Sequence, residues 1–173
     1  AMARQVNPER PGLVVELGGG TGAISEALLN RGVAANRLVI VERHPRLHRL
    51  LQQRFPAATV LQGDAAHLRQ LLAAHGLRGV RAVVSGLPLL AMREDQQKAI
   101  VMAAMDVLEP AGRFVQFSYG PACPVPEKLR RELRVRARGV ANVLLNLPPA
   151  RVWVLAAARS SDNRSLATPL EAA

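Results

Sequence analysis

Runs of apolar, largely β-branched residues recur along the chain and alternate with stretches whose apolar positions repeat every three or four residues. The first pattern predicts buried strands near 13–17, 38–42, 58–62, 81–85 and 112–118, and the second predicts helices near 22–31, 45–54, 65–74 and 93–108. Strands that alternate with helices pair in parallel under cover on both faces, so an α/β fold with a mostly parallel sheet is expected. Gly32, Gly76 and the Glu109-Pro110-Ala111-Gly112 turn fall at helix ends, and Pro45 takes a first helical position after Glu42-Arg43-His44. Beyond residue 125 the rhythm changes to a short helix around Glu127–Leu133 and two strands near 134–145 and 150–158, joined by Asn146-Leu147-Pro148-Pro149. So short a connection makes that pair antiparallel, an expected hairpin at the sheet edge. One domain is expected over 1–159, followed from Ser160 to Ala173 by a polar tail expected to be mobile.

The first strand, Leu13-Val14-Val15-Glu16-Leu17, runs into Gly18-Gly19-Gly20-Thr21-Gly22 at the mouth of a helix. Glycines there let the backbone take positive φ and approach a ligand closely, while the helix start offers free N–H groups. The pattern Glu-x-Gly-x-Gly-x-Gly departs from the dinucleotide fingerprint Gly-x-Gly-x-x-Gly in its last spacing and in its leading acid, which points away from NAD. The other reading of such a turn is a purely structural one.

This motif resembles the first motif of the Rossmann-like S-adenosylmethionine-dependent methyltransferases, whose turn faces the aminoacyl and sulfonium part of the cofactor. Ligands of doubly wound sheets bind beyond the carboxyl ends of the strands, and three acids fall there. Glu42 closes Leu38-Val39-Ile40-Val41, where a carboxylate accepts hydrogen bonds from ribose hydroxyls; its alternative role is to cap the helix that starts at Pro45. Asp64, in Gln62-Gly63-Asp64-Ala65, is placed by the resemblance beside the adenine amino group, and it also makes a good helix N-cap. Glu16 sits in an apolar strand end and is expected to meet the cofactor's ammonium, because an unpaired buried carboxylate is costly. The resemblance adds Arg43, Gly63, Ala65 and Ser85 to the expected cofactor site, with S-adenosylhomocysteine as the product.

Composition narrows the partners. Of 23 basic residues all but Lys98 and Lys128 are arginine, the net charge is +10, and aromatic content is 3%. That charge draws the chain to phosphate-bearing surfaces, and the scarcity of stacking side chains favours lipid over nucleic acid. Base composition or thermal adaptation is the competing source of the arginines. No apolar run approaches the roughly 20 residues of a membrane span, and the single cysteine, Cys123, agrees with a reducing compartment. A cytoplasmic protein, peripheral at the inner membrane face, is expected. The four histidines show no ligand spacing with nearby acids, so no metal is proposed.

Ser85-Gly86-Leu87-Pro88-Leu89 follows the fourth strand. Enzymes that methylate exocyclic base amines carry Asn or Asp, then Pro-Pro and an aromatic there. This departure counts against a base-methylating enzyme such as the ribosomal RNA adenine dimethylases, which share Glu-x-Gly-x-Gly-x-Gly. Instead, Glu16–Gly22, Ser85–Leu89, the segment Gly112-Arg113-Phe114-Val115-Gln116-Phe117-Ser118-Tyr119-Gly120-Pro121 and Asn146-Leu147-Pro148-Pro149-Ala150 are similar to the bacterial phosphatidylethanolamine N-methyltransferases.

That resemblance implies a seven-stranded sheet and methyl transfer to the head-group amine of phosphatidylethanolamine, in some members on to phosphatidylcholine. It also implies an N-terminal amphipathic segment, nothing like which is visible here, so a removed or upstream segment is expected. The acceptor is expected at Ser85, Gly86, Leu87, Pro88 and Tyr119. Tyr119, the one tyrosine, is the candidate for orienting the amine, against the alternative of a core-edge ring with its hydroxyl in water. Lys128 and Arg130, Arg131, Arg134, Arg136 and Arg138 form the densest basic stretch. They meet lipid phosphates on one reading and protect a solvated sheet edge on the other. A monomer is expected. The rival functions are an RNA or protein N-methyltransferase and a catalytically silent cofactor-binding module that docks on membrane or nucleic acid.

Overall fold

The computed structural model describes residues 1–119, 122–143 and 150–158. Seven strands form one sheet in the order β3-β2-β1-β4-β5-β7-β6. The strands are β1 (Leu13–Leu17), β2 (Leu38–Glu42), β3 (Thr59–Gln62), β4 (Val80–Ser85), β5 (Leu108–Tyr119), β6 (Val135–Val143) and β7 (Ala150–Ala157), and the helices are α1 (Ala23–Asn30), α2 (Pro45–Arg54), α3 (Leu68–Ala74), α4 (Glu94–Val107) and α5 (Glu127–Glu132). The first five strands are parallel to one another, as their apolar runs predict.

Alternate strand residues feed two cores. Val15, Leu17, Val39, Val41, Val83 and Phe114 pack under α3, α4 and α5, whereas Val14, Ile40, Val84 and Val115 pack with Leu28 of α1, Leu51 of α2 and, from the N-terminal segment, Ala3 and Val6. That segment is tied down by arginines, since Arg81 Nε donates to the Gly12 carbonyl (3.0 Å), Arg113 to that of Gln5 (3.1 Å) and Arg10 to that of Ala111 (2.9 Å). Part of the arginine content is therefore spent on carbonyls within the fold.

Two expectations need correction. Glu109–Gly112 does not end a helix before β5. The strand begins at Leu108, and these residues bulge out of it, with Val80 paired to Leu108 but Ala82 already paired to Arg113 and Ala111 at φ 62°. The helix expected over 65–74 is divided, a 3-10 turn at Ala65–His67 preceding α3. The last two strands form the expected antiparallel hairpin at the sheet edge, with β7 between β5 and β6 and antiparallel to both. The crossover through α5 carries β6 past one empty position, and the chain returns to fill it, leaving β6 as the edge. Arg134 and the exposed Arg136 and Arg138 stand at or on that edge strand. The Asn146–Pro149 connection and the tail from Ser160 lie outside the described residues.

Candidate functional site

Beyond the carboxyl ends of β1, β2, β3 and β4 lies a cleft of about 660 Å³, lined on one side by Gly18, Glu42, Arg43, Gly63, Asp64 and Ala65 and on the other by Leu87, Pro88, Ala91, Met92 and Ile100. The first group carries the charged side chains and comes from the β1, β2 and β3 ends; the second comes from the β4–α4 connection and α4 and is apolar apart from Gln96 of α4, which also lines the cleft. Parallel strands aim all these loops at one end of the sheet, which is why residues so far apart in sequence meet.

Glu42 joins two of the loops. Its Oε2 accepts the Gly20 N–H (2.9 Å) and its Oε1 the His44 N–H (2.8 Å), while the side chain still borders the cleft. A carboxylate has about four acceptor positions, so two remain for a ligand's hydroxyls. The helix-capping alternative is met in part, through His44, the N-cap of α2. Asp64 caps the 3-10 turn by accepting Ala66 N–H (2.9 Å), and its other oxygen faces the exposed Arg43 guanidinium at 3.6 Å across the cleft rim. The capping role of Asp64 is thus directly visible, and its second oxygen stays at the cleft.

The glycines are shaped by their neighbours. Gly18 sits at φ +74°, and a Cβ there would come within 2.6 Å of Leu87 Cδ2, so only glycine lets the β1 and β4 ends close on each other. Gly19 and Gly22 do not line the cleft; added Cβ atoms would meet Ile40 (2.5 Å) and Phe55 (2.5 Å) beneath the turn. Gly20, Thr21 and Ser85 likewise do not line the cleft, nor does Gly86, whose N–H bonds the Leu17 carbonyl (2.8 Å).

Glu16 is fully buried on the α1 side, where Ser25 Oγ donates to its Oε2 while Oε1 has no partner among the described residues. Burial pushes its pKa up to about 8; the Ser25 hydrogen bonds oppose the shift and the Glu42 charge adds to it. It does not line the cleft, so its expected meeting with an ammonium group is a proposal tested below. Tyr119 also stands apart. Its ring meets Phe117 edge-on at 5.4 Å, half-exposed, and the alternation along β5 puts both on the face opposite Gln116, whose amide reaches Leu87 beside the cleft.

Two amides not singled out in the sequence hold the β4–α4 connection. Gln116 Nε2 donates to the carbonyls of Leu87 and Phe117 (2.8 Å each), and Gln97 Nε2 to those of Leu89 (3.1 Å) and Pro124 (2.7 Å). The signal was present, an amide within the apolar run Phe114-Val115-Gln116-Phe117. Gln116→Leu is expected to take a donor from two part-buried carbonyls and to cost about 1–3 kcal/mol. Calorimetric unfolding would show this as a Tm fall of roughly 3–10 °C; an unchanged Tm would remove Gln116 from the support of this loop.

Residues 14–112 match the Methyltransferase domain family, and the chain belongs to that family. Its sheet is shared with the glycopeptide N-methyltransferase MtfA in complex with S-adenosyl-L-methionine, at 14% identity and a TM-score of 0.66 over 90% of each chain. A TehB-like S-adenosylmethionine-dependent methyltransferase from Corynebacterium glutamicum is similar at 16% identity, covering 89% of this chain and 85% of that one with a TM-score of 0.63. An ornithine lipid N-methyltransferase from Singulisphaera acidiphila is 35% identical over 121 residues, 68% of this chain; the match spans 63% of that protein's length.

Proposed function

We propose that this chain transfers a methyl group from S-adenosylmethionine to an amine carried by a lipid head group, with phosphatidylethanolamine as the first candidate acceptor. The observation that carries the reading is the division of the cleft. The Glu42 and Asp64 carboxylates and Gly18 lie on one wall, and the other is apolar apart from Gln96, with neither acid, amide nor aromatic side chain in Ser85–Leu89. The lipid relative, named for another amine-bearing lipid, supports the acceptor class.

When bound, the cofactor supplies a methyl carbon already activated on sulfonium, so positioning dominates the protein's contribution. Glu42 offers two acceptor positions to ribose hydroxyls and holds Gly20 in the turn; Gly18 allows close approach; Asp64 stands at the adenine end. Gln97 and Gln116 fix the carbonyls of the loop that meets the acceptor. The incoming amine attacks in its neutral form, with a proton passing to solvent.

The decisive assay is transfer from labelled S-adenosylmethionine to vesicles of phosphatidylethanolamine, of ornithine lipid, or of phosphatidylglycerol alone, with ribosomal RNA in a parallel arm. Label in an amine-bearing lipid is expected. Label in RNA, or none in any arm while S-adenosylhomocysteine binds, overturns the lipid reading; ornithine lipid labelled in preference moves the acceptor within its class.

A further inference from the structure

The two sides of the cleft mouth differ in a way that cofactor binding does not require. On one side the Pro88-Leu89-Leu90-Ala91-Met92 segment makes a 3-10 turn that buries Leu89 and turns Leu90 out, leaving it 55% exposed, more than any other large apolar side chain among the described residues. The turn is pinned, because Ala91 N–H bonds the Pro88 carbonyl (2.9 Å), Met92 N–H that of Leu89 (3.1 Å), and Gln97 the same Leu89 carbonyl. Leu90 is therefore held outward by structure rather than by loose packing. Exposed Pro88 and Ala91 adjoin it, making a small continuous apolar lip whose inner edge lines the cleft.

The opposite side is basic. Residues 43–54 contain Arg43, Arg46, Arg49 and Arg54 and no acid. Arg46 and Arg49 are exposed, and no salt bridge within the described residues engages either; Leu50 is exposed beside them. A lone exposed leucine is ordinary. Arg43, His44 and Pro45 line the cleft at the start of α2, so an apolar lip on one side of the mouth is combined with the end of a cationic helix on the other. Interfacial binding uses this pairing for insertion below the head groups and attraction to lipid phosphates.

We propose that the mouth of the cleft, through Leu90 and its neighbours on the β4–α4 turn and through Arg46 and Arg49 on α2, is the surface that docks on an anionic phospholipid bilayer. This rests on the lipid-acceptor reading and deepens it, since a cleft pressed mouth-down on the bilayer meets the head-group amine in the plane where it resides. The net charge of +10 selects an anionic surface.

The test uses the whole chain, vesicles of equal parts phosphatidylethanolamine and phosphatidylglycerol, and sedimentation. Leu90→Glu is expected to lower the partition coefficient about tenfold or more, the value of losing a buried leucine. Arg46→Glu with Arg49→Glu is expected to lower it by a similar factor, about 1 kcal/mol attaching to each lost cation, and to do so less at high salt. Met102→Glu, an exposed apolar site on α4 outside the mouth, is the control and is expected to partition as the native chain does. S-adenosylhomocysteine affinity by calorimetry is expected to be unchanged in Leu90→Glu, which shows that the cleft is intact.

Native chain that does not partition, Leu90→Glu that partitions like native chain, or Met102→Glu that loses as much as Leu90→Glu each overturns the docking surface. The lipid reading is judged separately with a short-chain phosphatidylethanolamine kept monomeric. Methyl transfer to it by native chain and Leu90→Glu alike, with vesicle transfer lost only in the variant, supports both. Absence of transfer to either form of the lipid defeats the acceptor assignment and leaves the partition result to decide docking.

Discussion

Glu16→Gln is expected to remove most of a loss of stability that the native chain shows on going from about pH 4.5 to about pH 8. The carboxyl is fully buried, and burial raises its pKa from 4.5 to about 8 against the opposing Ser25 hydrogen bonds. Between those two values the folded chain holds a proton that the unfolded chain has released. The stabilisation is fully present below pH 4.5 and is lost as pH rises through 8, at about 1.4 kcal/mol per pH unit and on the order of 5 kcal/mol across the window. The amide cannot ionise, so the variant should become the more stable protein on the alkaline side. Urea unfolding at four or five pH values between 5 and 9 checks this; parallel stability profiles for the two proteins would show that Glu16 does not carry the dependence. The same residue bears on the cofactor. Should Glu16 meet an ammonium group, its neutral carboxyl must first give up a proton, so binding of S-adenosylhomocysteine near pH 7 releases about one proton in the native chain and none in the variant. Calorimetry in two buffers of different ionisation enthalpy reads that number, and equal proton release in both proteins takes Glu16 out of the site.

Glu42→Gln should produce the largest change in affinity. The carboxylate serves Gly20 and His44 from its two oxygens, whereas an amide has one oxygen, so one backbone donor loses its acceptor. Stability is expected to fall by about 1–3 kcal/mol. Affinity for S-adenosylhomocysteine should fall further, by about 10- to 100-fold, because the lost acceptor is charged and the proposed bonds to the ribose hydroxyls depend on what remains. Titration calorimetry on variant protein held well below its Tm separates the two effects. Native affinity in a folded variant would mean that the carboxylate serves only the glycine turn.

These two acids show where sequence legibility stops. The position of Glu42, closing an apolar strand before a proline-started helix, was enough to place it at the carboxyl end of the sheet, and the structure puts it on the cleft wall. That it also ties two loops together depends on a contact with Gly20, which lies 22 residues away. Glu16 could be read as a buried acid from its apolar neighbours, but not as an acid turned towards Ser25 and away from the cleft lining. Tyr119 lies at the strand end, as its sequence position suggested, and the pleat turns it to the other face.

Amino-acid order by itself determined the alternation of strands and helices, the parallel core and the glycine turn with its flanking acids, because these follow from local periodicity and backbone freedom over a few residues. Tertiary structure alone decided that β7 inserts between β5 and β6, that residues 109–112 bulge from β5, and that Gln97 and Gln116 brace the β4–α4 connection. It also decided that Leu90 faces outward while Leu89 is buried. Each of these depends on which surfaces meet after the sheet closes, and residues distant in the chain set that outcome.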